Sequence, residues 1–151
     1  MKDHEFLARV QELGALPSPK EANRWTTAVL RALAHLLPEA QVRRHFIAQL
    51  PRALKSGLLV EPPRALLMDR EAFLQHVAAA LGVHAPEGER ALRTVYRVLK
   101  EAVSPGQITQ FEAHIPNDIA AYLRSEGGSA PLPIPPPKGR AGKARARTGA
   151  E

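Results

Sequence analysis

Phe46-Ile-Ala-Gln-Leu-Pro51 is answered farther along the chain by Phe111-Glu-Ala-His-Ile-Pro116. The phenylalanine, the alanine, an aliphatic residue and the proline keep their places, while the positions between them change freely. Two more stretches do the same. Phe6-Leu-Ala-Arg-Val10 returns as Phe73-Leu-Gln-His-Val77, and Val29-Leu-Arg-Ala-Leu33 returns as Val95-Tyr-Arg-Val-Leu99. The separation is about 66 residues each time, drifting by single residues as connectors between rigid elements allow. Such a period defines an architecture before any local element is assigned. It defines no chemistry.

The repeated stretches carry helical spacing. Phe6, Val10 and Leu13 fall on one face, as do Trp25, Val29, Leu33 and Leu36. Val42, Phe46 and Leu50 mark a third helix, and Leu54 with Leu58 a short fourth. The second copy answers with Phe73, Val77 and Leu81, then Ala91, Val95 and Leu99, then Ile108, Phe111 and Ile115, then Ile119 and Leu123. Phe46 and Phe111 are both expected in the core. Trp25 stands where the second copy has Ala91, so the two cores are expected to differ in volume there. Prolines mark the starts, because a proline at the first helical position loses an N–H that has no partner anyway. Ser18-Pro19-Lys20-Glu21 reads as a capping box, and Ser104-Pro105-Gly106-Gln107 repeats its grammar. Pro38, Pro51, Pro86 and Pro116 each announce a fresh helix.

The expectation is an all-α chain of two tandem four-helix copies packed on a shared core. The first copy spans residues 1–61 and the second 62–126, with Pro62-Pro63 as a stiff break. Each copy alone is near the size at which a domain buries too little surface to be stable. Residues 127–151 change composition abruptly, to Gly127-Gly-Ser-Ala-Pro-Leu-Pro-Ile-Pro-Pro-Pro137 and then a spaced basic run. This segment favours polyproline II, holds few apolar anchors and is expected to be disordered.

The Phe-x-x-x-Val opening, the long helix closing on Val-Leu-x-x-Leu and the Gln49-Leu50-Pro51 step, present in paired copies, resemble the prokaryotic domain-of-unknown-function family 2267. The resemblance covers roughly residues 4–125 and omits the tail. The second copy departs with His114-Ile115-Pro116, which keeps the aliphatic residue and the proline. The resemblance implies a paired helical layout and no catalytic residues.

Function classes narrow by elimination. The chain has no cysteine, which removes thiol nucleophiles, disulfides and thiolate metal sites. It holds no Gly-x-Ser-x-Gly elbow, no phosphate-binding Gly-x-x-x-x-Gly-Lys and no His-Glu-x-x-His zinc helix. Its start lacks an apolar leader core, and no apolar run approaches the roughly 18 residues of a membrane span, so a cytoplasmic location is expected. No pattern implies a cofactor. His4, His35, His45, His76, His84 and His114 never fall i, i+4 on one helix and read as surface or boundary residues.

The patterned polar feature is cationic. Arg90, Arg93, Arg97 and Lys100 form a stripe on one long helix, and Arg24 and Arg31 align with Arg90 and Arg97. The tail adds Lys138, Arg140, Lys143, Arg145 and Arg147. The net charge is +6, of which residues 127–151 contribute +4 from five cations and one glutamate. These residues suggest a non-enzymatic module that binds an acidic partner, nucleic acid among them, without sequence readout, since the tail has no aromatic to stack on bases. The plainer reading is a solvated face balanced by Glu87, Glu89 and Glu101, with the tail as a solubilising extension. An alternative function is a protein-binding or self-associating scaffold with a groove between the copies. A remoter one is an enzyme or ligand carrier with a site at that same junction.

Overall fold

Ser18 opens the second helix as its setting demands. Its hydroxyl accepts a hydrogen bond from the Glu21 N–H at 3.2 Å, and Pro19 takes the first helical position. Ser104 does the same for the seventh helix, accepting from the Gln107 N–H at 3.3 Å. The reciprocal half of the first capping box is spent elsewhere, because the Glu21 carboxylate turns to Arg24 at 3.6 Å.

The protein is described by a computed structural model that covers residues 1–60 and 62–126. Eight helices occupy these residues: α1 (Asp3–Gly14), α2 (Pro19–His35), α3 (Ala40–Ala48), α4 (Arg52–Val60), α5 (Arg70–Leu81), α6 (Ala85–Ala102), α7 (Pro105–Ala113) and α8 (Asn117–Glu126). No strand occurs among the described residues, so the chain is all-helical. The first four helices hold 12, 17, 9 and 9 residues, and the second four 12, 18, 9 and 10. Glu61 and the basic tail, with the disorder expected of it, lie outside the described residues.

The centre is a bundle of α1, α2, α5 and α6. Within each half the first helix packs on the second, α1 on α2 and α5 on α6. Across the halves α1 packs on α6 and α5 on α2, while α2 and α6 touch directly. One continuous apolar cluster results, in which Phe6, Leu33, Phe73 and Leu99 are fully enclosed. Each such side chain stabilises the fold by about 1.5–3 kcal/mol relative to exposure. Close approach of α5 and α6 depends on Gly88, where a Cβ would stand 2.9 Å from the Ala78 Cα. The short helices α3–α4 and α7–α8 flank this bundle.

Two core expectations change in detail. Trp25 is buried, but the volume difference it suggests is compensated by Gly14, where any Cβ would lie 2.9 Å from the indole ring. The aligned positions in the second half hold Ala91 and Leu81, so large and small residues trade places between neighbouring helices. Phe111 is buried as expected, whereas Phe46 is only half-buried. The reason is geometric: α3 and α7 lie outside the central four and leave an open cleft between them.

Candidate functional site

Two seams join the halves, α1 against α6 and α5 against α2, and of the aligned arginines Arg24 and Arg90 reach across them. The Arg90 Nη1 donates to the Gly14 carbonyl at 2.8 Å, and its guanidinium sits 5.0 Å from the centre of the Trp25 ring. The Arg24 Nη1 donates to the Leu81 carbonyl at 2.8 Å. Each arginine thus satisfies a carbonyl at the C-terminus of a helix in the opposite half, where several carbonyls have no helical partner. Arg31 donates to the Gly57 carbonyl at 3.3 Å in the last turns of α4. The Lys100 ammonium lies 5.8 Å over the Tyr96 ring. Arg93 is half-buried and Arg97 exposed, and neither forms a hydrogen bond or ion pair among the described residues. Both ends of the expected stripe are therefore turned toward the fold. Lys138, Arg140, Lys143, Arg145 and Arg147 lie outside the described residues.

Two of the three acids expected to balance the stripe, Glu89 and Glu101, serve other helices. Glu101 takes a forked pair of bonds from Arg9 of α1, at 3.0 and 3.2 Å. Glu89 accepts from the Tyr122 hydroxyl of α8 at 2.9 Å. Tyr96, fully enclosed, donates to Glu112 at 2.5 Å, and Arg124 stands 3.6 Å from the same carboxylate. Burial first, and then this bond, push the Tyr96 phenol well above its ordinary range. The first half has Leu30, Ile47 and Leu59 at the aligned positions, so a polar triad replaces an apolar one. His35 and His76 meet across the α2–α5 seam with ring centres 5.3 Å apart. Among the described residues no group of three or more histidines, aspartates or glutamates is placed to hold a metal ion.

Among the described residues an open cleft lies between α3 and α7, with a volume of ≈ 310 Å³. Phe46 and Phe111 stack at its base, ring centres 5.0 Å apart and planes inclined by 27°. Val42 and Ile108 continue the apolar lining, and Leu37, Leu50 and Val103 close it. The polar lining consists of Gln41 and His45 from α3 with Gln49 at its C-cap, and Gln107 and Gln110 from α7 with His114 at its C-cap. No carboxylate and no primary cation lines it. None of the four glutamine amides has a side-chain hydrogen-bond partner among the described residues, and His114 Nδ1 lies 2.8 Å from the Gln110 carbonyl. An apolar trough bordered by neutral donors and acceptors suits a ligand with exposed apolar side chains and free backbone polar groups. It supplies no nucleophile with an adjacent base.

None of the cleft residues was singled out in the sequence as a site. The available signal was a spacing: the residue before each phenylalanine and the residue three after it are uncharged amides or imidazoles, His45 and Gln49 around Phe46 and Gln110 and His114 around Phe111, while Arg44 and Glu112 fall outside the lining. The junction between copies was the place anticipated for a groove.

With this geometry, the chain matches a family model described as "Uncharacterized conserved protein (DUF2267)" over residues 3–122, and it belongs to that family. No curated protein matches the chain. Among the described residues no helix is long and apolar enough to cross a membrane.

Proposed function

We propose that this protein is a non-enzymatic binding module, built from two copies of one helical unit, whose recognition surface is the α3–α7 cleft. Its partner is a protein segment that inserts apolar side chains over Phe46 and Phe111 and offers backbone groups to the glutamine amides. The observation that carries this reading is the stacked phenylalanine pair left partly open at the junction of the halves. A bundle that needed these rings only for stability would cover both, because exposed apolar area forgoes about 25 cal/mol per Å². The absence of cysteine suits a reducing bacterial cytoplasm, which we take as the compartment.

The acidic-partner reading retains Arg93, Arg97 and the tail cations, and Arg97 in particular faces solvent with no partner among the described residues. It loses support from Arg24 and Arg90, whose guanidiniums already hold backbone carbonyls. The two readings separate by salt. Cleft binding is nearly indifferent to it, whereas contact with about five phosphates gives a log–log slope of roughly −4 to −5.

The test is a titration of the full chain with anilinonaphthalene sulfonate, a fluorescent apolar probe. Saturable enhancement is expected, weakened about tenfold or more by Phe46→Glu and by Gln110→Trp, which fills the cleft from an exposed position. Equal enhancement in all three proteins, each with an intact helical spectrum, would reject the cleft as the binding surface.

A further inference from the structure

We infer that the chain's own segment Pro131-Leu-Pro-Ile-Pro-Pro-Pro137 is an occupant of the α3–α7 cleft, a built-in competitor for the partner; the inference rests on the cleft being the recognition surface. Three observations converge on this occupant.

The first is hydrogen-bonding complementarity. Five of the seven residues are prolines, so the segment offers a carbonyl at every position but an N–H only at Leu132 and Ile134. It needs donors and gives almost none. The cleft is lined by four glutamine amides and two imidazoles and by no carboxylate. The second is apolar fit. Leu132, Ile134 and the proline rings match a trough floored by two phenyl rings, and a proline-rich strand loses little conformational entropy on docking.

The third is reach. Helix α8 follows α7 directly, and His114, just past the end of α7, lines the cleft. The 10 residues of α8 span about 15 Å. The chain from Glu126 to Leu132 extends to about 20 Å, enough to return along α8 to the cleft. Tethering at that length gives an effective concentration in the millimolar range, so a contact too weak to form between free molecules is populated within one. The cations from Lys138 onward then emerge past the cleft, and they meet no carboxylate in its lining that would hold them.

The chain has no cysteine, so Ser129→Cys in the full chain accepts a single nitroxide label. The expected result is selective broadening of the nuclear magnetic resonance signals of Val42, Phe46 and Ile108, with Ser56 and Gly57 unaffected, since α4 packs mainly on α1, α2 and α3 and not on α8. Leu132→Asp/Ile134→Asp should abolish that broadening and raise the affinity for anilinonaphthalene sulfonate severalfold. Absent or uniform broadening would overturn the inference. So would broadening seen only when labelled chains are mixed with separate isotope-enriched chains, which would assign the segment to a second copy. If broadening is absent but the probe binds in a Phe46-dependent way, the tail inference falls and the cleft reading stands. If the probe fails to bind even the Leu132→Asp/Ile134→Asp chain, the cleft reading falls as well.

Discussion

His76 meets His35 edge-on across one seam, at the positions where the other seam holds Arg9 and Glu101. The two seams are alike in their partners and different in their chemistry. One is joined by a guanidinium–carboxylate fork. The other is closed by two imidazole rings, with His35 Nδ1 2.6 Å from the Arg64 carbonyl.

Stability should therefore fall on mild acidification. Burial, and next the nearby His35, hold the His76 imidazole below its ordinary range. A histidine whose folded pKa is depressed takes up its proton more readily when unfolded. Its contribution is thus present above the unfolded value of about 6.5 and is lost as pH falls toward the folded value. Urea unfolding between pH 8 and pH 5 should show this slope, and His76→Gln should flatten it. An unchanged slope in His76→Gln would assign the acid sensitivity to other groups.

Arg90 and Arg24 hold the halves together through backbone carbonyls, so losing either should be felt by the whole fold. Arg90→Ala removes a charge-assisted bond to Gly14 and the cation over Trp25, and should cost about 1–2 kcal/mol. Arg24→Ala should cost less, because it removes the bond to the Leu81 carbonyl without a cation held over an aromatic ring. Trp25 fluorescence and helical circular dichroism should report one shared, shifted transition. Two separate transitions would show that the halves unfold independently.

Ala15 ends α1 in the left-handed region, at φ 51°, and the aligned position after α5 is Gly82, at φ +67°. A side chain there carries a steric penalty that glycine avoids. Ala15→Gly should raise stability by about 1 kcal/mol, and Gly82→Ala should lower it by a similar amount. Thermal melts of the two variants, moving in opposite directions, would check the assignment.

The Tyr96–Glu112–Arg124 group should behave as a unit. Glu112→Ile, the residue of the aligned position, strands the buried phenol and should cost about 1–3 kcal/mol. Tyr96→Phe in that background removes the stranded hydroxyl and should recover most of the loss. A double-mutant cycle with strictly additive effects would rule out the coupling.

The regular parts of the fold were legible because their causes are local. Ser18 and Pro19 fix a helix start through one hydroxyl, one missing N–H and one preferred backbone angle, all written within four residues. The buried face of α2 follows from the spacing of Trp25, Val29 and Leu33. Phe46 was misjudged because spacing shows that a face is apolar, not whether another helix covers it. Arg24 and Arg90 were visible as an aligned pair, yet their partners are the backbone carbonyls of Leu81 and Gly14, and a carbonyl has no sequence signature. The His35–His76 contact, like the cleft, joins residues from different halves and emerges only when α5 is laid on α2.

The central claim, that the α3–α7 cleft recognises the partner, is tested most directly by mapping signal shifts in the isotope-enriched full chain as anilinonaphthalene sulfonate is added. A contiguous set of shifts on Val42, Phe46, Ile108 and Phe111, unchanged by raising the salt concentration, is the expected result. Shifts centred instead on Arg93 and Arg97, and erased by salt, would contradict it.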